Sequence, residues 1–104
     1  MADSERRTGT DLLEKTRPET KEPALYKVIL HNDNYTMMDF VVQILETVFL
    51  KSPAEAFRIM MQVHTQGQGV CGAYPYDIAE TRASTVHDMA REQGFPLRAS
   101  VEEE

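Results

Sequence analysis

The chain has one cysteine, Cys71, in 104 residues. A single thiol can form neither an internal disulfide nor a cysteine-based zinc site, which fits a reducing cytoplasm. Long apolar runs are missing too. No stretch approaches the roughly 18–20 apolar residues of a membrane span, and the first residues lack an apolar run of signal-peptide length. Positive charge is scarce, with 11 Lys and Arg against 17 Asp and Glu and a formal charge of -6. That balance argues against nucleic acid and anionic membrane surfaces, which require Lys and Arg patches. It suits a ligand that carries positive charge.

What is present is enough for one small domain. Hydrophobic residues make up 41% of the chain, which allows one modest core. Residues 1–22 are of different material. They hold six acids, five bases and few sizeable hydrophobes beyond Met1, Leu12 and Leu13. Such a segment buries too little apolar surface to offset chain entropy, so residues 1–22 are expected to be a disordered arm. It is either an inert tail or a contact arm, with Leu12-Leu13 as its sticky point. The folded part is then 23–104, with a charge of -5.

The central stretch is His31-Asn32-Asp33-Asn34-Tyr35-Thr36-Met37-Met38-Asp39. It lies between a strand-like segment, Ala24 to His31, and a helix-like one, about Met37 to Leu50. Short Asn and Asp side chains bond nearby backbone and favour turns. Thr36 is expected as N-cap, with Asp39 completing an acidic variant of the capping box. The stretch is either a capped turn or a cluster of oxygen acceptors aimed at a cation. In the following helix Met38, Val41, Leu45 and Val48 share one face, with Phe40, Ile44 and Phe49 beside it. Such a helix is largely buried, and Met38 is either plain core or an adaptable apolar contact.

Ser52-Pro53-Ala54-Glu55 is a clear helix start: Ser52 as N-cap, Pro53 at N1, Glu55 closing a capping box. This helix is expected to run to about Gln66 and stop at Gly67. Met60, Val63 and His64 share one of its faces. The short link to the preceding helix implies antiparallel packing. That brings His64 to Asn32 and Asp33, and Met60 and Val63 to Met38 and Val41, as a polar rim over an apolar well. Gln68 to Tyr74 follows as a Gly-interrupted strand. Pro75 opens a third helix that ends at Gly94, Pro96 to Val101 forms a last strand, and Glu102-Glu103-Glu104 is an acidic end. The order β-α-α-β-α-β closes most simply as an α+β domain with a three-stranded antiparallel sheet packed on three helices.

Tyr-Lys-Val-Ile-Leu at 26–30, Asn32-Asp33-x-Tyr35-Thr36-x-Met38, Val63-His64, Gly69-Val70-Cys71-Gly72, Ala79-Glu80-Thr81 and Pro96-Leu97 occur in one order. Together they resemble the ClpS family, adaptors that deliver N-end-rule substrates to the ClpA–ClpP protease. The resemblance covers roughly residues 23–102. It implies a non-enzymatic, cytoplasmic, monomeric binder of N-degrons that uses no cofactor and no metal. Asn32, Asp33 and His64 match the acceptors of the free α-amino group. Thr36, Met38, Val41, Met60, Val63 and Leu97 match the well for a first side chain of Phe, Tyr, Trp or Leu, with Met38 as the gate against Ile and Val. Tyr26, Asp77 and Arg82 match the surface that docks on the ClpA N-terminal domain, and the arm is implied to engage the unfoldase during handover. Asn34 stands where aspartate is usual and Met37 where proline is usual, departures that fit a divergent second paralogue.

Two other classes are open at this point. One is an enzyme with His64 and Asp33 as an acid–base pair, for which no activated nucleophile is evident. The other is a structural or assembly domain, since a small α+β fold also resembles ribosomal stalk C-terminal domains.

Overall fold

The computed structural model describes residues 23–104. The expected arm, residues 1–22, lies outside the described residues. The elements are β1 (Leu25–His31), α1 (Met38–Thr47), α2 (Pro53–Gln66), β2 (Gln68–Pro75), α3 (Tyr76–Gln93) and β3 (Arg98–Glu103). The β-α-α-β-α-β order and the α+β class are as the sequence implies.

The sheet is antiparallel with order β2-β1-β3, so β1 is the central strand. Its run Val28-Ile29-Leu30 is buried, as the middle of a sheet requires. Val28 and Leu30 join a core built from Phe40, Val41, Ile44 and Leu45 of α1, Ile59, Met60 and Val63 of α2, and Val86 of α3. The β1–β2 register slips between Val28 and Ile29: Val28 faces Gly72 and Ile29 faces Val70, so Cys71 is the extra residue of a bulge. Cys71 is 1% exposed and belongs to the core cluster. Gly69 lets β2 pass close under α2. A Cβ there would lie 2.9 Å from Val63 Cγ2 and 3.4 Å from the Ile59 carbonyl oxygen.

Chain punctuation follows side-chain chemistry. Ser52 Oγ accepts from the Glu55 N–H at 3.2 Å, with Pro53 at the first helical position. Only half of the expected box forms, because the Glu55 carboxylate pairs with Arg58 at 2.6 Å instead of turning back. α2 and α3 end on left-handed glycines, Gly67 at φ 93 and Gly94 at φ 77. α1 is shorter than the apolar pattern implies. It ends at Thr47, and the turn closes with Leu50 at φ 57 and the Lys51 N–H donating to the Leu45 carbonyl. A β-strand offset also appears at the end of the chain. β3 starts at Arg98, not Pro96, and continues through Glu102 and Glu103, which pair with Lys27 and Tyr26. The acidic end is therefore largely strand, with Glu102 registered opposite Lys27.

Replacing Ser52 by Ala removes the only side-chain acceptor found at that helix start. A loss of about 1 kcal/mol is expected, lowering Tm by roughly 4–8 °C for a domain of this size. An unchanged midpoint in a circular-dichroism melt would show that the cap contributes nothing.

Candidate functional site

The cavity forms where β1 ends, α1 begins and α2 finishes. One backbone bond sets that junction: the Asn32 N–H donates to the Gly67 carbonyl at 2.9 Å. It ties the start of the polar loop to the C-terminal end of α2, whose last turn carries His64.

Asp33 then shapes the loop. Its Oδ1 accepts from the Tyr35 N–H at 2.8 Å and the Thr36 N–H at 2.7 Å, and its Oδ2 accepts from Thr36 Oγ1 at 2.7 Å. This is an Asx turn with an added hydroxyl clasp. It corrects the sequence reading of Thr36 as N-cap. Met37 holds the N-cap position with no side-chain bond, because the Thr36 hydroxyl is spent on Asp33. Partial burial pushes the Asp33 carboxyl up, but the backbone and hydroxyl donors of Thr36 and the Tyr35 N–H outweigh it. The net result lies below the usual carboxylate range. Asp33 is thus a fixed anion at neutral pH. Its Oδ2 carries one internal bond and retains accepting capacity.

The cavity has a volume of about 410 Å³. Its lining includes Asn32, Asp33 and His64, together with Thr36, Met38, Val41, Met60, Val63 and Leu97. Val41, Met60, Val63 and Leu97 are buried and make an apolar floor, while Asn32 and His64 are exposed at the rim. Met38 is 46% exposed and stands at the mouth. A polar rim over an apolar well is a site that orients a ligand by charge and takes up an apolar group beneath it. His31, Asn34 and Tyr35 also line the cavity and were not singled out for it by sequence reasoning, and Met37, noted as a departure from the family pattern that adds a thioether near the rim, lines it as well. Their position in the same polar stretch was the available signal. His31 is partly engaged elsewhere, with Nε2 2.6 Å from Ser100 Oγ.

Tyr26, Asp77 and Arg82 lie away from this cavity. Tyr26 and Asn32 are six positions apart along β1, about 20 Å at strand rise. The Tyr26 ring packs edge-on against Tyr76 at 5.0 Å, next to the exposed Asp77 in the first turn of α3. Arg82 is more built in than a free docking cation. Its Nη1 donates to the Val48 carbonyl at 2.9 Å and its guanidinium sits 5.4 Å from the Tyr74 ring centroid. It closes the C-terminal end of α1, where a cation is favoured.

Little here supports nucleophilic chemistry. Burial pushes the Cys71 thiol up to about 12, so it is protonated and inert at neutral pH. Among the described residues no helix is long and apolar enough to cross a membrane.

Comparison with known proteins gives the lineage. Residues 21–100 match the family model described as the ATP-dependent Clp protease adaptor protein ClpS. The ClpS adapter of Syntrophus aciditrophicus is 62% identical over 82 residues, covering 79% of this chain and 77% of that protein. The ClpS adapter of Maricaulis maris is 52% identical over 96 residues, covering 92% and 88%. The solved structure of Agrobacterium tumefaciens ClpS2 bound to L-phenylalaninamide superposes with a TM-score of 0.77 at 43% identity, over 80% of this chain and all of that one. These relatives are named as adaptors, a non-catalytic role. The chain belongs to the ClpS family of adaptors of the ATP-dependent Clp protease.

Proposed function

We propose that this adaptor binds the N-termini of N-degron proteins in the cytoplasm and hands them to ClpA for degradation by ClpP. The observation that carries the reading is the single cavity that joins the acceptors Asn32, Asp33 and His64 to the apolar floor. A free α-amino group has a pKa of about 7.7–8.0, so it is mostly charged at neutral pH. It offers three donors. The Asp33 carboxylate, the Asn32 amide oxygen and a neutral His64 nitrogen supply three acceptors. A Phe, Tyr, Trp or Leu first side chain would then enter the well of Thr36, Met38, Val41, Met60, Val63 and Leu97. Burial of such a group is worth roughly 1.5–3 kcal/mol. The relative with L-phenylalaninamide bound supports this chemistry, since that ligand also carries a free amine next to an aromatic side chain. The patch of Tyr26, Asp77 and Arg82 is the proposed docking surface for the ClpA N-terminal domain. It sits far enough from the cavity for substrate and unfoldase to bind together.

The test is a series of peptides that differ only in the first residue. Phe, Tyr, Trp and Leu are expected to bind more tightly than Val, Ile, Asp or Gly. A flat series would contradict the reading.

Met38 sets the narrow part of that selection. It stands half-exposed at the mouth, three residues before the buried Val41 of the floor. Met38→Ala removes steric bulk against β-branched side chains, so Val- and Ile-initiated peptides should gain on Phe by about tenfold, the scale of one or two methylene contacts in an apolar pocket. An unchanged Phe-to-Val ratio in titrations would make Met38 a passive wall.

A further inference from the structure

We propose that Tyr35 and Met37 form an apolar lip that takes the second side chain of the bound N-terminus and favours an apolar residue there. This rests on the reading of the cavity as an N-terminus site. Both side chains line the cavity, yet Tyr35 is 77% exposed and Met37 is 58% exposed. Neither belongs to the buried core cluster or to the partly buried hydrophobics packed against it.

Their backbone is nonetheless fixed. The Tyr35 N–H donates to Asp33 Oδ1 at 2.8 Å. The Met37 carbonyl accepts from the Phe40 N–H at 3.0 Å and the Val41 N–H at 3.2 Å. Two large apolar side chains are therefore held in water on a rigid turn. A methionine adapts its shape to varied apolar guests, and a tyrosine gives a broad face at low entropy cost.

The ligand's geometry places its second residue at this height. With the amine on the rim acceptors and the first side chain on the floor, the next Cα lies about 3.8 Å further along the peptide. In an extended chain successive side chains point to opposite faces. The second side chain then points up and out of the well, to the level of the lip. A serine there gains little. A leucine there covers the exposed ring and thioether.

The experiment compares two peptides, Phe-Leu and Phe-Ser followed by the same sequence, each free and N-acetylated. Wild-type protein should favour free Phe-Leu over free Phe-Ser by about fivefold, as partial burial of one leucine implies. The double variant Tyr35→Ser, Met37→Ser should cut that ratio below about twofold while still preferring free to acetylated peptides. Because both residues are exposed, the variant should keep its melting midpoint. A wild-type ratio near one, or a ratio that survives in the double variant, sinks the lip alone. Equal binding of free and acetylated Phe-Leu sinks the N-terminus reading and the lip with it.

Discussion

Asp33→Asn should lower the affinity for a Phe-initiated peptide by at least about 30-fold while leaving the fold intact. The amide keeps an oxygen in the Oδ1 position, where the Tyr35 and Thr36 N–H groups donate. At the Oδ2 position an NH2 group replaces the acceptor and can donate to Thr36 Oγ1, which donates in the native loop. The turn therefore survives with the clasp reversed. The ligand loses its charged partner and meets a donor in its place. Removal of one member of a charge pair in a binding site costs on the order of 2–5 kcal/mol, or about 30-fold to more than 10³-fold at 1.4 kcal/mol per tenfold. Asp33→Ala should lose the same binding and the turn as well, so its melting midpoint should fall below that of Asp33→Asn. Titration of both variants with one peptide, beside their melts, separates the two roles. Wild-type affinity in folded Asp33→Asn would remove Asp33 from the site.

The pH behaviour of Asp33 follows from the same bonds. Its folded value is held below the ordinary 3.8. A lowered folded value means that its contribution to stability is complete above about pH 4. That contribution is lost as pH falls through the lower folded value. Between pH 5 and 8 Asp33 keeps its charge, so a change in binding over that range must come from other groups.

Ile44→Ala should be a severely damaging core change. Ile44 is fully buried in the middle of α1 and belongs to the core cluster shared with β1, α2 and α3. Truncation of a buried isoleucine to alanine costs about 2–5 kcal/mol. Against the roughly 5–15 kcal/mol that holds a domain together, that is a large share. Tm should fall by at least about 10 °C. α1 also carries Met38 and Val41 to the cavity, so binding should weaken as the helix loosens. A midpoint shift under a few degrees would contradict the close packing of Ile44 in the core cluster.

The parts of the fold that sequence reasoning located well are those with strong local chemistry. Ser52-Pro53 starts a helix, Gly67 and Gly94 stop two, and the apolar face of α1 faces inward. The parts that escaped it were decided by competition or by tertiary register. Asp33 and Thr36 are both good cap formers within one loop, and only the folded turn shows that the carboxylate wins the donors. α1 stops at Thr47 and the turn after it closes on a left-handed leucine, Leu50, a residue type that carries no such signal. β3 extends into Glu102 and Glu103 because pairing with β1 outweighs their low strand preference. The bulge at Cys71 exists only in the β1–β2 register.

The candidate site was legible for a simpler reason. Antiparallel packing of two helices with a short link places His64 near the Asn32-Asp33 loop, and the helix period then puts Met60 and Val63 opposite Met38 and Val41. Leu97 entered only through the resemblance to the ClpS family, since no local pattern ties it to that well. Tyr35 and Met37 were noted only as part of the family motif and as a departure from it, because exposed apolar side chains in a loop give no periodic signal.

One measurement bears on the central claim most directly. Fluorescence anisotropy would follow a labelled Phe-initiated peptide and a twin that differs only by an N-terminal acetyl group. Acetylation removes the positive charge and replaces three donors with one N–H, while the aromatic side chain stays the same. The account predicts saturable binding of the free peptide and a loss of at least about 30-fold for the acetylated one, the cost of an unpaired charge in the site. Equal affinity for the two peptides would contradict it, because the rim of Asn32, Asp33 and His64 would then have no part in recognition.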